Sequence, residues 1–141
     1  MRFARLCLLS LAFIVSLTAG SRAQAEPLSC HGTQQIRQVA ELLFGRDIGQ
    51  RLGVSERAWT RFVSRHLTPR FPQGLTVSDA QGQWRDRGNG TLVREPSKRV
   101  EIVLPGAADD EARLDAVVAA YKHEFQQQSV TVIVRPACVS F

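Results

Sequence analysis

The order in which hydrophobic periodicity changes along the chain constrains its fold more than any other feature. From Ile36 to Phe44 apolar residues alternate loosely, with Ala40, Leu42 and Phe44 on one side and Val39, Glu41 and Leu43 on the other. That is the period-two signature of a strand, halted at Gly45. Ser55 then offers an N-cap, and Trp59, Phe62, Val63, His66 and Leu67 fall in one stripe at helical spacing, ended before Pro69. Leu75 to Arg85 and Thr91 to Leu104 read as two extended arms reversed through Asp86-Arg87-Gly88-Asn89-Gly90, a β-hairpin. In its second arm Val100, Ile102 and Leu104 face inward while Arg99 and Glu101 face out. Gly82 and Pro96, one in each arm, predict a bulge or an irregular edge. Asp109, Asp110 and Glu111 place negative charge where a helix dipole favours it, and Leu114, Val117, Val118, Tyr121 and Phe125 share one helical face. Val130 to Val134 is β-branched throughout, a final strand.

Strand, helix, strand, strand, helix, strand is a split βαβ order. Right-handed crossovers fold it into an α+β, ferredoxin-like sandwich, a four-stranded antiparallel sheet with both helices on one face. The other face has no element of the chain to cover it, and Leu43, Val103 and Ile133 are expected to point there. An uncovered apolar sheet face implies a partner or ligand, and a homodimer through that face is the expectation.

The N-terminus carries an export signal. Met1 to Arg5 has two arginines and no acid, Leu6 to Ala19 is apolar but for Ser and Thr, and Ala23-Gln24-Ala25 supplies small residues for a peptidase. The apolar run is shorter than the roughly 20 residues a spanning helix needs. Cleavage after Ala25 is expected, leaving an irregular segment, residues 26–34, and one α+β domain, residues 35–141, in the periplasm or outside the cell and off the membrane. Cleavage removes Arg2, Arg5 and Arg22 and no acid, so 18 basic residues become 15 against 13 acidic ones, a formal charge of +2. Arginines alternate with acids rather than forming a basic stripe, so no nucleic-acid partner is expected.

Cys7 leaves with the signal, and Cys30 and Cys138 remain near the ends of the mature chain. In an oxidising compartment they are expected to form one disulfide. The rival is lipidation of Cys30, for which Pro27-Leu28-Ser29 is a poor lipobox lying ten residues past the apolar run.

The run Thr68-Pro69-Arg70-Phe71-Pro72-Gln73-Gly74-Leu75-Thr76-Val77, then Asp79-Ala80-Gln81-Gly82-Gln83-Trp84-Arg85 and Arg94-Glu95-Pro96-Ser97-Lys98, resembles a family of exported bacterial proteins known as a domain of unknown function. Leu43-Phe44-Gly45-Arg46, Tyr121 and Cys138-Val139-Ser140-Phe141 fit it too; Gln73 and Ser78 are small departures. The resemblance implies a bacterial, exported, single-domain protein and brings no activity, cofactor or catalytic residue.

The densest polar patch holds Arg70, Asp79, Gln81, Gln83, Trp84, Arg94, Glu95 and Lys98. If the hairpin pairs, arginine forks, amides and an indole face converge there, a mixture suited to a small anionic or carbohydrate-like ligand. The plainer reading is that Arg70, Asp79, Arg94 and Glu95 form structural ion pairs and Trp84 caps the core. Catalysis is harder to support. His66 sits on an apolar stripe, His123 opposite one, and Cys30-His31 supplies at most two metal ligands where a site needs three or four, so no metal and no cofactor are expected. Ser97-Lys98 lacks the spacing of a Ser-x-x-Lys site, and there is no nucleophile elbow. The leading reading is a small ligand-binding or interaction module. The alternative is a small enzyme of the dimeric α+β-barrel kind, using Asp79, Glu95 or His66 on an anionic substrate. A cavity lined by Arg70, Asp79, Gln83 and Arg94 favours the enzyme; a flat sheet with those side chains paired to one another favours the module.

Overall fold

A computed structural model describes residues 27–49, 51–86 and 88–141; the export signal read at residues 1–25 lies outside them. The elements are β1 (Gln35–Gly45), β2 (Asp47–Ile48), β3 (Arg51–Leu52), α1 (Glu56–Phe62), a π-helical turn (Val63–Leu67), β4 (Thr76–Arg85), β5 (Leu92–Val103), α2 (Asp110–Phe125) and β6 (Thr131–Val139). The large sheet runs β4-β5-β1-β6, antiparallel throughout, with β2 and β3 as a separate small ladder. This is the ferredoxin-like arrangement that the order of periodicities predicts.

Strand parity decides which side chains meet the helices. Ala40, Leu42 and Phe44 of β1 and Val100 and Ile102 of β5, with Leu104 just beyond it, are buried under Trp59, Phe62, Leu67, Leu114, Val117, Tyr121 and Phe125. Phe44 lies at the centre, its ring 4.8 Å from Tyr121 and 5.2 Å from Trp59. Ser55 caps α1 by accepting from the Ala58 N–H at 3.2 Å. The stripe from Trp59 to Leu67 is not one regular helix, however. After Phe62 the helix widens, so that the Thr68 N–H reaches back five residues to the Val63 carbonyl at 2.9 Å. In that wider turn Leu67 is buried and the His66 ring stacks on Phe62 at 4.9 Å. At the start of α2 the buried Asp110 carboxylate accepts from the Gly106 and Ala107 N–H groups, each at 2.9 Å, and Gln126 closes the helix in the left-handed region.

The expected bulge at Gly82 and Pro96 is corrected: register is unbroken from Thr76↔Glu101 to Arg85↔Leu92. Proline is tolerated in β5 because β1 stops at Gly45. The Pro96 carbonyl accepts from the Arg46 N–H at 3.0 Å, so its ring nitrogen also faces β1, beyond that strand's end. The Arg46 carbonyl, which a donor at position 96 would have met, accepts instead from Gly53 and Val54 at 3.0 and 2.9 Å. Gly82 is a close-approach residue, since a Cβ there would lie 2.8 Å from the Ser97 hydroxyl.

The disulfide is present. Cys30 and Cys138 are joined with their Cα atoms 5.4 Å apart, tying the segment before β1 to the end of β6.

Candidate functional site

Among the described residues two cations are buried, and they are neighbours. Lys98 on β5 is only 5% exposed and Arg46, just after β1, 6%. The Lys98 ammonium donates to Asp79 Oδ1 of β4 at 2.5 Å and lies 2.9 Å from Glu56 Oε2 at the start of α1. Arg46 donates from Nε to the Val54 carbonyl at 2.8 Å and from NH1 to Glu56 Oε1 at 2.6 Å. The acids are at the surface, their side chains 64% and 80% exposed for Glu56 and Asp79. Two buried cations thus hold two exposed carboxylates, joining α1, β4, β5 and the end of β1 through one charge-neutral cluster.

The charges shift accordingly. The Lys98 hydrogen bond holds Glu56 and Asp79 below their ordinary values of 4.5 and 3.8, against partial desolvation. Burial alone would lower Lys98, but its bonds to Asp79 and Glu56 outweigh that and raise it above 10.5. Burial also raises the Tyr121 phenol, which donates to the Gly45 carbonyl at 2.7 Å. The depressed carboxylates stabilise the fold above their ordinary values, and that stability is lost as pH falls through the folded ones. The raised Lys98 and Tyr121 contribute below their ordinary values and are lost as pH rises through the folded ones. Lys98→Met, which keeps the stem's packing, is expected to cost about 1–3 kcal/mol at neutral pH. It should also flatten the fall in urea midpoint between about pH 5 and pH 2. Parallel acid limbs in wild type and variant would contradict this account.

The rest of the predicted patch divides between the two sheet faces. Asp79, Gln81, Gln83, Arg94 and Lys98 share the helix-side parity, and Arg94 Nε donates to Gln83 Oε1 at 2.9 Å. Glu95 and Trp84 lie on the opposite face, the indole N–H donating to Glu95 Oε1 at 3.0 Å. Glu95 Oε2 also accepts from the Asp47 N–H at 3.2 Å, packed so closely under Gly45 that a Cβ there would lie 2.7 Å away. Asp79 and Glu95 therefore do not form an acid and base pair, and Trp84, 45% exposed, does not cap the core. Arg70 is not brought to the others; it donates to the His66 carbonyl at 3.0 Å. His66 faces Glu124 at 3.4 Å on α2. The ion pairs foreseen among Arg70, Asp79, Arg94 and Glu95 are replaced by Asp79–Lys98, Arg94–Gln83 and Glu95–Trp84. Among the described residues, no group of three or more His, Cys, Asp or Glu side chains gathers as a metal site, and no helix is long and apolar enough to cross a membrane.

The uncovered face is less apolar than expected. Leu43, Val103 and Ile133 do lie there by register, but its centre is charged. Arg99 reaches Glu41 Oε2 at 3.0 Å and Glu101 Oε2 at 3.3 Å, and Arg135 on β6 lies 3.7 Å from both acids. The Arg99 Nε is buried without an acceptor. Glu41, Arg99, Glu101 and Arg135 all occupy the strand parity opposite to the core, a signal present in the sequence. Arg46 and Glu56 have no such signal, because contacts distant in sequence bury one and hold the other.

A family model described as a protein of unknown function (DUF3574) matches residues 39–141. Among solved structures, a phage SAM lyase in complex with S-methyl-5'-thioadenosine superposes with a TM-score of 0.58 at 17% identity, over 82% of this chain and 97% of that chain. The same phage enzyme in its apo state gives 0.53 at 17% identity, over 82% and 98%. CutA from Synechococcus elongatus gives 0.48 at 10% identity, over 73% and 78%. At these identities the likeness is one of fold. No curated protein matches the sequence.

Proposed function

We propose, from the premise that this chain belongs to the DUF3574 family of unknown function, that it works as an exported interaction module that pairs with a second copy of itself across the uncovered sheet face. The observation carrying this reading is the charge pattern of that face. Glu41 and Glu101 balance Arg99 and Arg135, so the patch has no net charge, and Leu43, Val103 and Ile133 accompany it. A two-fold operation lays such a patch on itself without setting like charge against like, and an isologous interface needs that.

Several features favour a module over the enzyme. The hairpin's polar groups are engaged with one another, Lys98 is held charged rather than free to act as a base, and Asp79 and Glu95 are on opposite faces. Export is supported by the tripartite N-terminus and by a disulfide whose persistence needs an oxidising compartment.

Sedimentation equilibrium of periplasmically expressed protein is expected to show self-association that Arg99→Glu weakens, with an N-terminus at Glu26. A monomer throughout, or binding of S-methyl-5'-thioadenosine, the compound held in the phage enzyme's structure, would overturn the reading.

A further inference from the structure

The two edges of the large sheet differ in what they offer. β4 is polar, Thr-Val-Ser-Asp-Ala-Gln-Gly-Gln-Trp-Arg, with Asp79 and Arg85 along it. β6 begins Thr-Val-Ile-Val, and Val132, Ile133 and Val134 are 39%, 42% and 49% exposed, on both faces of the strand. Among the described residues no strand lies beyond β6. An aliphatic, regular edge of this kind is a template for pairing with another chain.

Its hydrogen-bonding phase follows from the sheet. The Leu104 N–H donates to the Gln38 carbonyl at 2.8 Å, so Gln38 and every second residue of β1 direct their backbone groups to β5. The pairs Gln38↔Pro136, Ala40↔Val134 and Leu42↔Val132 are therefore the non-hydrogen-bonded ones of the β1–β6 ladder. It follows that Val132, Val134 and Pro136 turn their backbone groups outward. Pro136 has no N–H to offer and Arg135 adds charge, so the later half of the edge is blunted. The earlier half is not.

We infer that β6 pairs antiparallel with β6 of a second copy about a two-fold axis through Ile133, extending the sheet across the seam. That register sets Ile133 against Ile133 on the uncovered face. Val132 and Val134 then exchange N–H···O bonds across the axis, apolar against apolar on the helix side, and Arg135 meets Thr131 rather than another arginine. Shifting the axis toward Pro136 sets the proline against an outward acceptor and brings the arginines together. The occupant shares its identity with the reading above but not its surface, because edge pairing leaves both uncovered faces on one side of the extended sheet.

Cross-linking tests this register. Opposed residues of a non-hydrogen-bonded pair have Cα atoms roughly 4.5 Å apart, within disulfide reach, whereas stacked sheets lie roughly 10 Å apart. The Ile133→Cys variant, oxidised and peptide-mapped, is expected to give a covalent dimer bridged at position 133 of both copies. Val132→Cys alone is expected not to cross-link, but its mixture with Val134→Cys is. Val134→Pro removes an outward N–H without touching the β1 ladder, and should weaken pairing roughly ten- to a hundredfold, two hydrogen bonds being lost across the axis. In wild-type protein the Val132 and Val134 amides should be protected from hydrogen exchange when concentrated and lose protection on dilution. Absence of the Ile133→Cys covalent dimer together with fast, concentration-independent exchange at both valines overturns the seam. If association then remains sensitive to Arg99→Glu, the open-face reading stands without it. If Ile133→Cys cross-links while Arg99→Glu changes nothing, the seam stands and the open-face reading fails.

Discussion

Replacing Cys30 and Cys138 together with serine is expected to lower the unfolding free energy by about 2–5 kcal/mol. The bridge spans a sequence separation of 108 residues, so it closes nearly the whole described domain into one loop. In the chain-entropy model a loop of about 100 residues restricts the unfolded chain by roughly 4.7 kcal/mol, and native strain or residual unfolded structure reduces that figure. A local effect adds to it. β6 is an edge strand held on one side by β1, and Cys138, opposite Ile36, is where the bridge secures its end. Urea titration of the double variant against wild type measures the difference. Superimposable curves would show that the bridge contributes nothing, and alkylation of both thiols in freshly exported protein would show that it is not formed in the cell.

Phe44→Ala is expected to cost about 3–5 kcal/mol, comparable to the disulfide, through an entirely different mechanism. The Phe44 side chain is fully buried, and its ring lies between Tyr121 on α2 and Trp59 and Phe62 on α1, the last at 6.1 Å edge-on. Truncation opens a cavity where the sheet meets both helices, and rings held by several neighbours collapse poorly into such a space. Trp84→Ala is the matched control, an aromatic half exposed on the opposite face, for which the loss should be much smaller. A Phe44→Ala cost near that of the control would mean that the aromatic cluster does not carry the core.

Element types and order are legible in the chain because apolar spacing is a local property. β1, the hairpin and α2 are marked by which residues repeat every two or every three to four positions, and β6 by its unbroken β-branched run. Irregularities depend on neighbours distant in sequence, and these are less visible. The π-helical turn after Phe62 keeps the same apolar stripe, so periodicity cannot separate it from α-helix. Pro96 looks disruptive until the end of β1 at Gly45 is known, and Gly82 looks like a bulge until Ser97 is seen beside it. Half of the polar patch is legible for a similar reason. Asp79 and Lys98, and Gln83 and Arg94, meet as two pairs on one face because hairpin register follows from the turn, whereas Arg70 sits outside the hairpin and packs back on its own turn. Arg46 and Glu56 complete the Lys98 cluster from other elements, and no spacing rule connects them to it.

Self-pairing through a charge-balanced sheet face is tested most directly by mixing two variants. Arg99→Glu makes the patch of Glu41, Arg99, Glu101 and Arg135 acidic and Glu41→Arg makes it basic, so each variant should repel its own kind. Sedimentation of each alone, after circular dichroism has shown both folded, should give association weaker than wild type, and the equimolar mixture should recover it as a heterodimer whose stability falls with added salt. A mixture that behaves as the average of its two components would contradict the account.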